Sequence, residues 1–174
     1  MKNLFLFLFV TLLYAACTGT TSTTDSGNTT GSAMALPYTA GYSSSFSIGS
    51  DSTVVNVLNN YKAWENGDME AFKNTLADSV GASFSNGFKF QATRDSAMKL
   101  ASLFRDSLSK VEIKMDAWLP LHAKDKNEDW VSVWYTEIDT YKTGKVDSGY
   151  YQDDNRIDKN GKIAFTDSQK RILK

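Results

Sequence analysis

Residues 109–119 read SKVEIKMDAWL, and here the chain changes period. Val111, Ile113, Met115, Ala117 and Leu119 alternate with Glu112, Lys114 and Asp116, the two-residue repeat of a half-buried strand. Just before, the apolar residues recur every three or four positions. Ala97, Leu100, Ala101, Phe104 and Leu108 make one stripe of a helix that starts near Thr93. Helices before Ser109 and strands after it predict an α+β domain.

Downstream, Trp130 to Tyr141 is apolar on both faces: Val131, Val133 and Tyr135 on one, Trp130, Trp134 and Ile138 on the other. A strand of that kind needs a core on one side and a second cover on the other. Lys142-Thr143-Gly144-Lys145 turns the chain into a strand from Val146 to Ile157, and Asn160-Gly161 turns it into a last one over 162–173. One unbroken strand over 110–124 would span roughly 50 Å, so Pro120 is expected to mark an edge, a bulge or a bend. Upstream, Asp51-Ser52-Thr53 offers caps for a helix carrying Val54, Val57, Leu58, Tyr61 and Trp64 on one face, stopped at Asn66-Gly67. Asp68 caps a second short helix with Met69, Phe72 and Leu76 inward. Val80 to Phe84 and Phe88 to Gln91 form a hairpin at Asn86-Gly87.

The N-terminus has a different character. Met1-Lys2-Asn3, an apolar run from Leu4 to Leu13 and Tyr14-Ala15-Ala16 have the layout of a secretory signal, residues 1–16. About ten apolar residues span only roughly 15 Å as a helix, too short for a bilayer core. Cys17, the single cysteine, follows the small pair and has no disulfide partner within the chain. Residues 17–32, rich in Thr, Ser and Gly, read as a flexible tether. In 33–50, Met34, Leu36, Tyr38, Tyr42, Phe46 and Ile48 recur at even spacing, which suits an extended segment lying along the domain surface.

Composition excludes several classes. With Lys2 removed, 18 Lys+Arg face 20 Asp+Glu, and no basic cluster suggests a nucleic-acid partner. One histidine and one cysteine do not make up a zinc or iron site, so no metal and no cofactor is expected. The chain has no Gly-rich phosphate loop, no G-x-S-x-G elbow and no internal repeat.

Two resemblances add to this. Tyr14-Ala15-Ala16-Cys17 resembles a bacterial lipoprotein signal, which implies that Cys17 is acylated and anchors an exported protein to the outer membrane. The absence of an acidic run after Cys17 points to the periplasmic face. Tyr61-Lys62-Ala63-Trp64-Glu65-Asn66-Gly67-Asp68, Leu76-Ala77-Asp78 and Arg156-Ile157-Asp158-Lys159-Asn160-Gly161-Lys162-Ile163, in this order, resemble the nuclear transport factor 2-like (cystatin-like) superfamily with its SnoaL-like proteins and ketosteroid isomerase. The resemblance covers residues 51–174. It implies three N-terminal helices packed on a strongly curved antiparallel sheet, with a cone-shaped pocket between them.

Parity then sorts the side chains. If Ile157 faces the core, so do Asn155, Asp153 and Tyr151. The resemblance places Asp153 where the isomerase has a protonated, oxyanion-stabilising aspartate, a carboxylic acid kept neutral by its apolar surroundings. It places Phe84 or Ser85 at the general base and Asn60 at the partner tyrosine. His122, the single histidine, either lines the pocket or sits exposed near a strand end. Ligand-binding candidates are Tyr61, Trp64, Phe88, Trp118, Tyr151, Asp153 and Asn155; catalytic candidates are Asp153 and His122. The expected function is non-catalytic binding of a small apolar molecule. The alternatives are an isomerase, dehydratase or hydrolase using Asp153 with His122 or Tyr151, or a module that dimerises through Trp130, Trp134 and Ile138.

Replacing Cys17 with serine should abolish membrane attachment and leave the domain folded, because acyl chains contribute about 0.8 kcal/mol per buried CH₂ and two or more hold stably. Membrane fractionation of wild type and Cys17→Ser checks this; a variant still wholly with membranes would reveal a second anchor.

Overall fold

A computed structural model describes residues 36–172. The signal, Cys17 and the 17–32 tether lie outside the described residues. From Ala40 onward the chain forms one compact unit. Its elements are β1 (Phe46–Ile48), α1 (Asp51–Asn66), α2 (Met69–Asn74), β2 (Leu76–Phe84), β3 (Lys89–Thr93), α3 (Arg94–Asp106), β4 (Leu108–Ala123), β5 (Glu128–Tyr141), β6 (Val146–Ile157) and β7 (Ile163–Ile172). The seven strands make one sheet in the order β1-β4-β5-β6-β7-β2-β3. All neighbours are antiparallel except β2 and β7, which run parallel. The consecutive β4-β5-β6-β7 meander is the sheet's centre, and the helices cover its inward face.

Local chemistry sets the boundaries. Ser50, one residue before the expected caps, accepts from the Ser52 amide to start α1. Gly67 ends it in the left-handed region at φ 72°, where a Cβ would be strained. Asp68 accepts from the Ala71 amide to start α2. Leu76, expected at the end of α2, is instead the first residue of β2 and is buried. Arg105 of α3 donates to the Trp64 carbonyl (Nε, 2.9 Å) and the Glu65 carbonyl (Nη2, 3.1 Å). These carbonyls belong to the last α1 turn, where the Trp64 oxygen also takes the Gly67 amide, so one guanidinium fastens α3 to α1.

Strand β4 runs through Pro120 without breaking. Gly49 N–H donates to the Pro120 carbonyl at 3.0 Å, so this proline turns its carbonyl and its nitrogen toward the β1 side, and the ladder to β5 loses no bond. The irregularity falls between Met115 and Ala117 instead, leaving Asp116 unpaired. That bulge changes parity. Val111, Ile113 and Met115 face inward before it and Trp118 after it, so the expected continuation through Ala117 and Leu119 is broken.

The core is built on α1 and the sheet: Val54, Val57 and Tyr61 pack with Leu76, Val80, Val131, Val133, Tyr135, Ile157 and Ile163. In the 40–48 segment, Tyr42 packs edge-on against Trp130 (centroids 5.8 Å apart) and accepts from its indole N–H at 2.9 Å. Phe46 and Ile48 pair with Ala123 and Leu121 through their backbones, but their side chains stay exposed. Trp130 on the outward face is therefore covered by the chain's own N-terminal segment. On α3 only Ala97 and Met98 are buried, and Leu100 and Phe104 of the expected stripe are exposed.

Candidate functional site

Cross-strand register puts Tyr135, Glu137 and Asp139 of β5 on the same inward face as Tyr151, Asp153 and Asn155 of β6 and Ser168 and Lys170 of β7. Asp153 is 5% exposed. Its Oδ2 accepts from the Tyr61 hydroxyl of α1 at 2.7 Å and from the Tyr135 hydroxyl at 2.9 Å. Asn155 donates to the Tyr61 hydroxyl oxygen and the Val131 carbonyl, both at 3.3 Å, and accepts from Thr166 at 2.8 Å. Burial raises the Asp153 pKa, against the opposing hydroxyls of Ser168, Tyr61 and Tyr135. Burial and the neighbouring Asp153 also push both tyrosines well above their ordinary value. Tyr61, one residue on from Asn60, is the α1 tyrosine that reaches Asp153. Asn60 itself is buried and donates to the Thr75 hydroxyl at 2.7 Å.

Two residues further along β5, Glu137 and Asp139 form a second acidic pair that the reading of the strand's sequence does not single out. Burial and the facing Asp139 carboxylate push Glu137 up to about 8, while the Trp64 indole acts in the opposite direction. Asp139 is raised as well, chiefly by burial. The two side chains lie two residues apart on one face of β5, so each carboxyl bears on the titration of the other. A signal for them exists in the sequence: Glu137 and Asp139 share the parity of Val131, Val133 and Tyr135. Across the sheet, Lys170 reaches Asp147 at 2.8 Å by passing over Gly149, where a Cβ would meet its Cε at 2.5 Å. Its ammonium also lies over the Tyr151 ring, 5.4 Å from the centroid. Tyr151 stacks on Tyr135 and is driven up to about 12 by burial.

The remaining candidates are dispersed. His122 pairs with Asp129 through Nδ1 at 2.8 Å, four register positions from Val133, the residue opposite Asp153. This contact separates His122 from Asp153 and corrects their placement in one acid–base pair. Trp64 stacks on Phe104 with centroids 6.0 Å apart and leans on Phe72. Phe88 is half-exposed in a file with Phe84 and Phe90, away from the Tyr61 network. Trp118 is 51% exposed and lines a cleft of about 350 Å³ between α1 and β4 with Leu58, Tyr61, Ile113 and Met115, with Lys62 and Glu65 at its rim. Asp153 and Asn155 do not line this cleft; they stand behind the Tyr61 ring.

No protein-family model and no curated protein matches this sequence. Solved structures do. An epoxide hydrolase of M. tuberculosis, described as LEH-like, superposes with a TM-score of 0.59 at 12% identity, over 70% of this chain and 84% of that one. An NTF2-like protein of unknown function from Exiguobacterium sp. 255-15 gives 0.56 at 13% identity, over 67% and 98%. A Mycobacterium tuberculosis protein in complex with estradiol-17beta-hemisuccinate gives 0.56 at 10%, over 67% and 92%. The domain has the nuclear transport factor 2-like fold, a cone of helices on a curved, mostly antiparallel sheet. At these identities the likeness concerns fold alone.

The raised Glu137 pKa has a consequence for stability. Between its ordinary value of 4.5 and about 8 the folded state holds a proton that the unfolded chain has released, so stability falls as pH rises through this window. The slope approaches about 1.4 kcal/mol per pH unit for one proton. Urea denaturation from pH 5 to 9 should show this decline in wild type and a flatter profile in Glu137→Gln; equal slopes would mean that Glu137 titrates normally.

Proposed function

We propose that the protein is an exported, lipid-anchored binder of a small, largely apolar molecule, and that it performs no enolisation chemistry. The cleft between α1 and β4 carries this reading. Its floor is Leu58, Tyr61, Ile113, Met115 and the half-exposed Trp118, its rim is charged, and its volume lies within the range of small-ligand sites. Support for a non-catalytic role comes from the groups around it. The Tyr61 hydroxyl is committed to Asp153, and the inward-facing residue where the resemblance calls for a base is Phe84. Proton abstraction needs a positioned acceptor within hydrogen-bond reach. The steroid conjugate in the Mycobacterium tuberculosis neighbour is a further reason to include steroids among probes.

A thermal-shift series of steroids, polyketide fragments and fatty acids on wild type, Trp118→Ala and Asp153→Asn tests this. A bound ligand stabilises the folded state by RT ln(1 + [L]/Kd) and so raises the melting temperature. The expected result is a saturable upward shift for an apolar class in wild type, lost in Trp118→Ala and kept in Asp153→Asn. A shift lost in Asp153→Asn alone would move the site to the buried network. Turnover of an enone by wild type but not Asp153→Asn would make the protein an enzyme.

Self-association through the outward sheet face is the second part of the reading. Trp134 and Ile138 are half-buried there, and a depression of about 830 Å³ holds Trp130 and Phe165 among Lys89, Asp154 and Asp167. An apolar floor with both signs of charge at its margin can complement a second copy of itself. Sedimentation at micromolar concentration should give a dimer for wild type and a monomer for Trp134→Glu; a monomeric wild type would remove this interface.

A further inference from the structure

Glu137, Asp139 and Asp153 share the inward face of the sheet, and among the described residues no Lys, Arg or His nitrogen lies within ion-pair distance of any of them. The cations in the neighbourhood are already engaged: Lys170 with Asp147, Arg105 with the carbonyls of Trp64 and Glu65. Asp139 is 6% exposed, and its Oδ1 has no hydrogen-bond partner. An unpaired carboxylate oxygen in that setting is destabilising unless a donor or a cation arrives. Glu137, in contrast, keeps partial exposure, so the pair reaches the surface through one member. The wall beside Glu137 is aromatic: the Trp64 indole bears on Glu137 and Phe104 stacks on Trp64, whereas the Tyr151 ring is already engaged by Tyr135 and the Lys170 ammonium.

We propose that this end of the cone binds a small organic amine, its ammonium group paired with Glu137 and Asp139 and its apolar body against Trp64 and Phe104. Three features select this chemistry. A carboxylate ligand would meet like charge from Glu137, Asp139, Asp147 and Asp153. A neutral apolar ligand would leave the Asp139 oxygen unpaired. An ammonium supplies both charge and N–H donors, and the aromatic rings attract it further. The site is separate from the α1–β4 cleft and does not depend on ligand binding there.

Pairing with an ammonium requires Glu137 in its charged form, so the amine should bind more tightly as pH rises toward 8. The groups bearing on the pair at that pH are Asp147, Asp153 and Lys170 from the neighbouring strands and Arg105 from α3. The test is isothermal titration of the purified full chain with benzylamine and with benzyl alcohol, its neutral counterpart, at pH 6 and pH 8.5. The expected result is a preference for the amine of about tenfold or more at pH 8.5, weaker at pH 6, with proton release on binding. Glu137→Gln and Asp139→Asn should each reduce that preference to within about twofold. Two variants are used so that poor folding of one, seen in its thermal melt, leaves the other decisive. Equal affinity for amine and alcohol, no binding of the amine at millimolar concentration, or a preference that survives in the folded variants overturns the proposal.

Discussion

A carboxyl group closed inside the cone sets the terms for the elements around it. Asp153 of β6 receives hydroxyls from Tyr61 of α1 and Tyr135 of β5, and Asn155 ties the same Tyr61 to Val131 and Thr166. One connected polar network therefore spans a helix and three strands. Removing a partner from such a group leaves a buried acceptor unmatched, at a cost of about 1–3 kcal/mol. Helix α1 cannot turn or slide on the sheet without breaking several of these bonds at once. Arg105 holds the next, last turn of α1 in the same manner, through backbone carbonyls. With the C-terminal half of α1 held twice over, the gap between it and β4 is fixed too, and that gap is the cleft lined by Trp118.

Much of this architecture was legible because its determinants are local. The period change at Ser109 marks where α3 hands over to β4, and the turns at Asn86-Gly87, Gly144 and Asn160-Gly161 all place glycine at positive φ. What was not legible depended on single-residue offsets. The helix stripe already turns Tyr61 inward, whereas the resemblance puts Asn60 at the tyrosine position; with about 100° per residue, that one-residue offset is what hides the Tyr61–Asp153 contact. The bulge at Asp116 has the same effect in a strand: Trp118 turns inward where the simple alternation assigns Ala117 and Leu119. Pro120 disturbs the sheet less than Asp116 does, since a proline whose nitrogen faces away from the neighbouring ladder leaves that ladder intact.

Glu137 and Asp139 illustrate a different gap. Acids in a strand ordinarily read as its solvated side, and only their parity with Val131, Val133 and Tyr135 argued otherwise. Burial favours the neutral form of Glu137, which spares the interior one of the two charges. Gly149 opposite Glu137 matters in the same way. It has no side chain to fill the space, and Lys170 passes over it to reach Asp147. Hence the neighbouring cation is directed to the exposed acid, and the two inner ones keep their proton.

This division bears on whether the interior can perform chemistry. A carboxyl titrating near pH 8 has the thermodynamic qualification of a general acid or base, because its two states are both accessible at working pH. Qualification by pKa is insufficient without a place for substrate. Glu137 does not line the α1–β4 cleft, so a molecule bound there is out of its reach. Asp153 is more constrained still, with one oxygen taken by two tyrosines and the ring of Tyr61 between it and the cleft. The Tyr61 ring keeps Asp153 from the cleft, so a molecule bound there meets the ring before it meets the carboxyl.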